Sequence, residues 1–134
     1  RPMVTNRRQT VRNYMIFILA FLLFSSSCAT TGQGKLKYIV LTSRDCSVCN
    51  RMLPVVDSVN GKFKSIVEAD TLYENGNTGE VMVEKYKVKK YPANLFIGPD
   101  GELFYRYEGL LDERSVFEII NMELARKKIS EEKK

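Results

Sequence analysis

The sequence has no histidine and no tryptophan, and only three of its 134 residues are cysteine. Without histidine, the chain cannot supply a Ser-His-Asp or Cys-His catalytic arrangement, a histidine-ligated metal site or an imidazole pH switch. Three cysteines with added carboxylates would make a poor zinc site. The length corresponds to one small domain, and 44% hydrophobic with 28% charged residues is typical of a globular protein.

The first 44 residues contain no acidic residue, and the first one in the chain is Asp45. Four of the 21 basic residues precede the first apolar run, so the chain from Cys28 onward has 17 basic and 16 acidic residues. A nearly neutral domain without a basic stripe lacks the electrostatic footprint of a nucleic-acid-binding protein. We therefore expect no nucleic-acid partner.

The first 27 residues have the three parts of an export signal. A basic segment precedes the eleven apolar residues 14–24, and three serines follow. Eleven helical residues rise about 16 Å, roughly half the hydrocarbon thickness of a bilayer, which disfavours a membrane-spanning helix. This arrangement is typical of a secretory signal peptide, and we predict one over residues 1–27.

Cys28 directly follows the serines. Its position resembles the lipobox of bacterial lipoproteins, although Ser25 stands where that family usually has leucine. The resemblance implies that Cys28 is a lipid attachment site and that residues 28–36 are a flexible tether. It also implies a domain held on the bacterial cell envelope, facing the periplasm or the exterior. The alternative is a plain signal peptide followed by an incidental cysteine.

Hydrophobic periodicity predicts the element order β-α-β-α-β-β-α. The predicted strands span residues 37–42, 65–69, 93–97 and 102–107, and the helices begin at positions 49, 77 and 112. Two strand–helix–strand units favour parallel pairing, and the turn 98–101 favours an antiparallel hairpin. We expect an α/β domain over residues 37–126, with a mixed four-stranded sheet and helices on both faces. A charged tail follows over residues 127–134.

Cys46 and Cys49 are separated by two residues, where the first strand gives way to the first helix. Unpaired amides and the dipole at a helix N-terminus stabilise a thiolate. Cys46 could then attack a disulfide, and Cys49 could resolve the mixed disulfide. The pair could instead be half of a zinc site or a structural disulfide, although so short a loop gains little stability.

Five features between residues 37 and 124 together resemble thioredoxin. They are the Cys46–Cys49 pair, Pro54, the segment 85–92 that leads into the family's cis-proline, Gly101 in the hairpin turn and Gly109. The resemblance implies a thioredoxin-like fold that lacks the family's N-terminal strand and helix. It also implies a monomer that works without a cofactor or a metal.

The resemblance assigns roles to four residues. Cys46 would be the nucleophile and Cys49 the resolving thiol in exchange with protein disulfides or thiols. A cis bond between Tyr91 and Pro92 would present the backbone of Tyr91 to an incoming peptide strand, so both would be substrate-binding residues. Pro92 could instead be a trans proline at a strand edge.

Two departures from thioredoxin bear on the mechanism. Asp45 takes the place of a tryptophan before the first cysteine, and Val40 that of a buried aspartate. Because that aspartate helps to move a proton from the resolving cysteine, another group or water must do so here. The neighbouring Arg44 could stabilise the Cys46 thiolate, or form with Asp45 a solvated pair without effect.

The sequence thus predicts an exported, membrane-tethered thiol–disulfide oxidoreductase. In an oxidising compartment the pair stays oxidised unless a membrane electron-transfer partner reduces it. We favour the reductive direction by analogy with tethered thioredoxin-like proteins. The alternatives are a peptide-binding or chaperone module without redox turnover, whose surface would include Tyr91, Phe104, Tyr105 and Tyr107, and a peroxide- or metal-handling protein.

Overall fold

The computed structural model describes residues 34–132. The predicted signal peptide and the predicted lipid site at Cys28 lie outside these residues. The strands are β1 (Leu36–Thr42), β2 (Val67–Tyr73), β3 (Ala93–Ile97) and β4 (Leu103–Glu108), and the helices are a 3-10 helix (Cys49–Met52), α1 (Leu53–Lys62), α2 (Asn77–Tyr86) and α3 (Glu113–Glu132). This is the predicted order of elements, and β1 begins at Leu36, the last residue of the predicted tether.

The strands form one mixed sheet, as predicted, and their order in it is β2-β1-β3-β4. β1 and β2 are parallel, whereas β3 is antiparallel to β1 and to β4. The prediction of parallel pairing is therefore wrong for the second strand–helix–strand unit. Lys87, directly after α2, has the left-handed conformation (φ 52°). The chain then enters β3 opposite Leu41, at the end of the sheet where β2 finished.

β2 begins and ends later than the strand predicted over residues 65–69. A turn occupies residues 63–66, in which the carbonyl of Phe63 accepts hydrogen bonds from the amides of Ile66 and Val67, each at 2.8 Å. β2 then continues through the polar residues Asp70 and Thr71, because pairing with β1 needs only main-chain groups and an edge strand leaves its outer side to water.

One side chain of α1 covers part of this outer edge. The side-chain amide of Asn60 donates to the carbonyl of Ala69 at 2.8 Å, and its oxygen accepts from the amide of the same residue at 3.0 Å. Asn60 thus replaces a neighbouring strand for one residue of β2, which ties α1 to the edge of the sheet.

Alternate residues of β1 face two cores on opposite sides of the sheet. Tyr38 and Val40, both without exposed surface, belong to the core that contains residues of α1 and α3. Ile39 and Leu41 belong to the core against which residues of α2 pack. The predicted layers, with helices on both faces, are confirmed.

Two helical glycines lie in opposite surroundings. A Cβ atom at Gly79 of α2 would be 1.8 Å from the carbonyl oxygen of Tyr73. A Cβ atom at Gly61 of α1 would have no atom of another part of the protein within 4 Å. Gly79 therefore permits the close approach of α2 to the end of β2. Gly61 serves no such purpose.

Alanine at these two positions is expected to act in opposite directions. Gly61→Ala should raise the free energy of unfolding by about 0.5–1 kcal/mol, because alanine is the better helix former. Gly79→Ala should lower it by about 1–3 kcal/mol, because the backbone must move to relieve the overlap. Urea denaturation followed by circular dichroism measures both values, and equal effects of the two substitutions would contradict the close approach at Gly79.

Candidate active site around Cys46 and Cys49

The cysteine pair lies in the connection between β1 and α1. β1 ends at Thr42, after which the amide of Cys46 donates to the carbonyl of Ser43 at 3.2 Å. The amide of Cys49 in turn donates to the carbonyl of Cys46, also at 3.2 Å. These two tight turns keep both cysteines next to the C-terminal end of β1.

The helical segment that starts at Cys49 is a 3-10 helix as far as Met52 and becomes an α-helix only at Leu53. This corrects the prediction of one continuous helix from Cys49. Pro54 has no amide hydrogen, and its ring excludes the carbonyl of Asn50, four residues earlier. That carbonyl accepts instead from the amide of Leu53, with the spacing of a 3-10 turn. Pro54 then lies in the first turn of α1, so it sets the boundary between the two helical segments.

Cys46 and Cys49 are joined as a disulfide, with their Cα atoms 5.4 Å apart. Cys46 is half-buried, whereas Cys49 has 4% of its surface exposed. An attacking thiolate must reach its substrate, while a resolving thiol must reach only the sulfur beside it. The exposure therefore suits Cys46 to attack and Cys49 to resolve.

Pro92 lies at the same end of the sheet as the cysteines. The Tyr91–Pro92 bond is cis, as predicted. Because Ala93 is opposite Leu41, the start of β3 adjoins the end of β1 from which the cysteine turn departs. Within the described part of the chain, neither the amide nor the carbonyl of Tyr91 makes a backbone hydrogen bond. The main chain of Tyr91 thus differs from that of β3, which pairs with β1 and β4.

The side chain of Tyr91 is bordered by carboxylates that the sequence analysis did not single out. Burial, together with the neighbouring carboxylates of Glu74 and Glu108, raises the pKa of this phenol to about 12. The amide of Glu74 donates to the carbonyl of Thr42 at 2.8 Å, which holds the loop after β2 at this end of the sheet.

The interior beside the site contains little that can titrate. Val40, at the position of the family's aspartate, is fully buried. The buried polar or charged side chains within residues 34–132 are Thr42, Asn94 and Glu123, of which Glu123 is paired with Arg126 at 2.7 Å on α3. Asn94 lies directly opposite Val40 on β3. It was not predicted, although an amide inside the apolar run 93–97 was a visible signal.

The two charged residues directly before Cys46 are exposed. Arg44 and Asp45 both lie on the turn before Cys46 with their side chains in solvent, and Arg44 lines a shallow cleft together with Tyr73 and Gly76. Among residues 34–132, no three cysteine, aspartate or glutamate side chains are grouped closely enough to hold a metal ion. No helix in this part of the chain combines the length and the apolar character needed to cross a bilayer.

Solved structures match the fold, whereas no protein-family model and no curated protein matches the sequence. The exposed lipoprotein thioredoxin of Streptococcus pneumoniae is similar with a TM-score of 0.60 and 19% identity, covering 67% of this chain and 86% of that one. Thioredoxin-2 of the malaria parasite, a component of its protein secretion machinery, is similar with a TM-score of 0.59 and 12% identity, covering 66% and 82%. The chain has a thioredoxin-like fold, as predicted.

Replacing Glu74 by glutamine is expected to lower the pKa of Tyr91 towards its usual value of 10.0, because a negative charge beside the phenolate is removed. Near-ultraviolet absorbance of the phenolate, taken as the difference from Tyr91→Phe, measures this pKa. Glu113→Gln, an exposed carboxylate in the first turn of α3, is the control and should leave it unchanged.

The same shift gives a pH dependence of stability. Because the unfolded phenol ionises near 10 and the folded one at about 12, the folded state binds more protons in this window. The contribution of Tyr91 to the free energy of unfolding should therefore fall as the pH rises from about 10 to about 12, and it should fall less in Glu74→Gln. An unchanged pH dependence in this variant would contradict the contact between Glu74 and Tyr91.

Proposed function

We propose that this chain is a thiol–disulfide oxidoreductase of the bacterial cell envelope, tethered to a membrane and acting on proteins. The observation that carries the proposal is the cysteine pair. Its sulfurs are bonded, Cys46 is half-buried and Cys49 is buried. Both lie at the end of the sheet where Pro92 directly precedes β3. The likeness to solved thioredoxins supports the fold on which this chemistry depends.

In the reductive direction, the thiolate of Cys46 attacks one sulfur of a substrate disulfide. A mixed disulfide forms, and the other substrate sulfur leaves as a thiolate that takes a proton from water. The thiolate of Cys49 then attacks the sulfur of Cys46, which releases the second substrate thiol and restores the disulfide of the pair. Two electrons pass to the substrate, so a dithiol donor must reduce the pair again.

We propose that this donor is a membrane electron-transfer partner, because a cysteine pair in an oxidising compartment is otherwise held oxidised. Substrate docking would use the main chain of Tyr91, which has no backbone partner in the described residues, to pair with the extended peptide around the substrate disulfide. Pro92 would border the same peptide. The protein would act as a monomer.

The proposed location depends on the sequence before the domain. Residues 1–27 have the pattern of a signal peptide, and Cys28 follows at the place of a lipidated cysteine. One of the similar structures is itself an exposed lipoprotein, which supports the same location here. Lasting attachment needs more than one acyl chain, as a bacterial lipoprotein anchor provides.

Reduction of insulin by the protein, with dithiothreitol as electron donor, tests the proposed activity. Cys46→Ser should reduce turnover to the uncatalysed rate, because no other thiol of the pair is exposed to the substrate. Cys49→Ser should also lose turnover, and after reduction and removal of the dithiothreitol it should accumulate a mixed disulfide with insulin, visible on a non-reducing gel. Equal turnover by the wild type and Cys46→Ser would reject the oxidoreductase and favour a peptide-binding or chaperone module.

Fractionation of bacterial cells that express the full chain tests the proposed anchor. The wild type should sediment with membranes and incorporate labelled palmitate, because Cys28 receives the acyl chains. Cys28→Ser should lose the label and move to the soluble fraction, whereas Cys46→Ser, the matched control, should behave as the wild type. Palmitate label that persists in Cys28→Ser would place the anchor elsewhere.

A further inference from the structure

Asn94 is a fully buried amide in β3, two residues after Pro92. Its nitrogen donates to the carbonyl of Gly109 at 2.7 Å and to that of Tyr107 at 3.3 Å, and its oxygen accepts from the hydroxyl of Tyr38 at 2.8 Å. Three hydrogen bonds thus satisfy the amide and connect β1, β3 and the end of β4. We call these three bonds the Asn94 network.

Gly109 connects the Asn94 network to Pro92. Its amide donates to the carbonyl of Pro92 at 2.8 Å, while its own carbonyl accepts from Asn94. Its φ of 141° favours glycine, and a Cβ atom there would lie 3.1 Å from the ring of Tyr107. The position of the Pro92 carbonyl therefore depends on a residue that Asn94 holds from the other side.

Tyr38 makes this arrangement rigid. Its ring has no exposed surface and stacks on Phe96 with the centroids 4.7 Å apart. Burial raises the pKa of the phenol far above its usual value, so the hydroxyl stays protonated and keeps donating to Asn94. Neither a carboxamide nor this phenol titrates near neutral pH, so the network supplies no acid or base for the proton of Cys49. Its contribution is to position the main chain.

We propose that Tyr38 and Asn94 are positioning residues for substrate docking, which hold the Pro92 carbonyl and the adjacent Tyr91 main chain, through Gly109, in the orientation that an incoming peptide strand requires. This inference rests on the proposed function. It separates two kinds of substrate: a protein disulfide docks its peptide against this main chain, whereas a small disulfide needs only to reach Cys46.

The test is Tyr38→Phe, which removes one hydroxyl and keeps the stacked ring. Its KM for insulin should rise about three- to tenfold with little change in kcat, the size of effect that the loss of one hydrogen bond produces. Its rate with a small aromatic disulfide, dithiobis(nitrobenzoate), should equal that of the wild type. Thr71→Val is the control, since it also removes one hydroxyl from a strand of the sheet, and that hydroxyl has no hydrogen-bond partner in the described residues.

A double variant, Tyr38→Phe with Asn94→Leu, separates docking from folding. Asn94→Leu removes the acceptor that Tyr38→Phe leaves unsatisfied, but it also removes the donor to the carbonyls of Gly109 and Tyr107. The double variant should therefore be less stable than Tyr38→Phe, and circular dichroism under the assay conditions checks that it remains folded. The proposal expects it to keep the raised KM for insulin and the normal rate with the small disulfide.

Three results would overturn the positioning role. An unchanged KM for insulin in Tyr38→Phe would show that docking does not depend on the network, while the proposed function would stand. A parallel loss with insulin and the small disulfide would show a general loss of structure. A wild-type protein that reduces neither substrate would reject the proposed function, and the positioning role with it.

Discussion

The pairing of β1 with β3 is the constraint on which the candidate site depends. β1 is fully buried from Tyr38 to Thr42, because it lies inside the sheet and between the two cores. Its antiparallel register with β3 brings the start of β3 to the end of β1. The turn that carries the cysteines and the cis-proline are therefore neighbours as a result of strand pairing, although more than forty positions of sequence separate them. No direct bond between the two segments is needed to bring them together.

At the level of Val40 in β1, the polar side chain inside the sheet is on the neighbouring strand β3. Val40 makes this part of β1 apolar, and Asn94, directly opposite, makes β3 polar. A buried carboxylate could exchange a proton with a thiol. A buried amide needs hydrogen-bond partners, and it fixes the positions of the groups that provide them. The interior beside the site is thus suited to fixing main-chain geometry. Proton transfer from Cys49 is left to water or to groups near the surface.

Features that depend on residues a few positions apart could be predicted from the sequence. They include the order of elements, the hairpin at residues 98–101, the cysteine pair and the start of α3, where the carboxylate of Asp112 accepts from the amide of Ser115 at 3.0 Å. The direction of β3 could not be predicted, because both directions satisfy the same apolar run and only the path after α2 decides between them. The bond between Tyr38 and Asn94 joins residues 56 positions apart, and periodicity carries no information about such a pair.

The first described residues and the candidate site lie at opposite ends of the sheet. Lys37 pairs with Ile97, and a Cβ atom at Gly34 would lie 2.8 Å from the carbonyl oxygen of Pro99, so the chain enters the domain beside the hairpin turn that follows β3. The seven residues of β1 span about 20 Å between this entry and the cysteine end. The strand that starts where the chain enters the domain therefore ends at the turn that carries the cysteines, so the length of β1 sets the distance between the two.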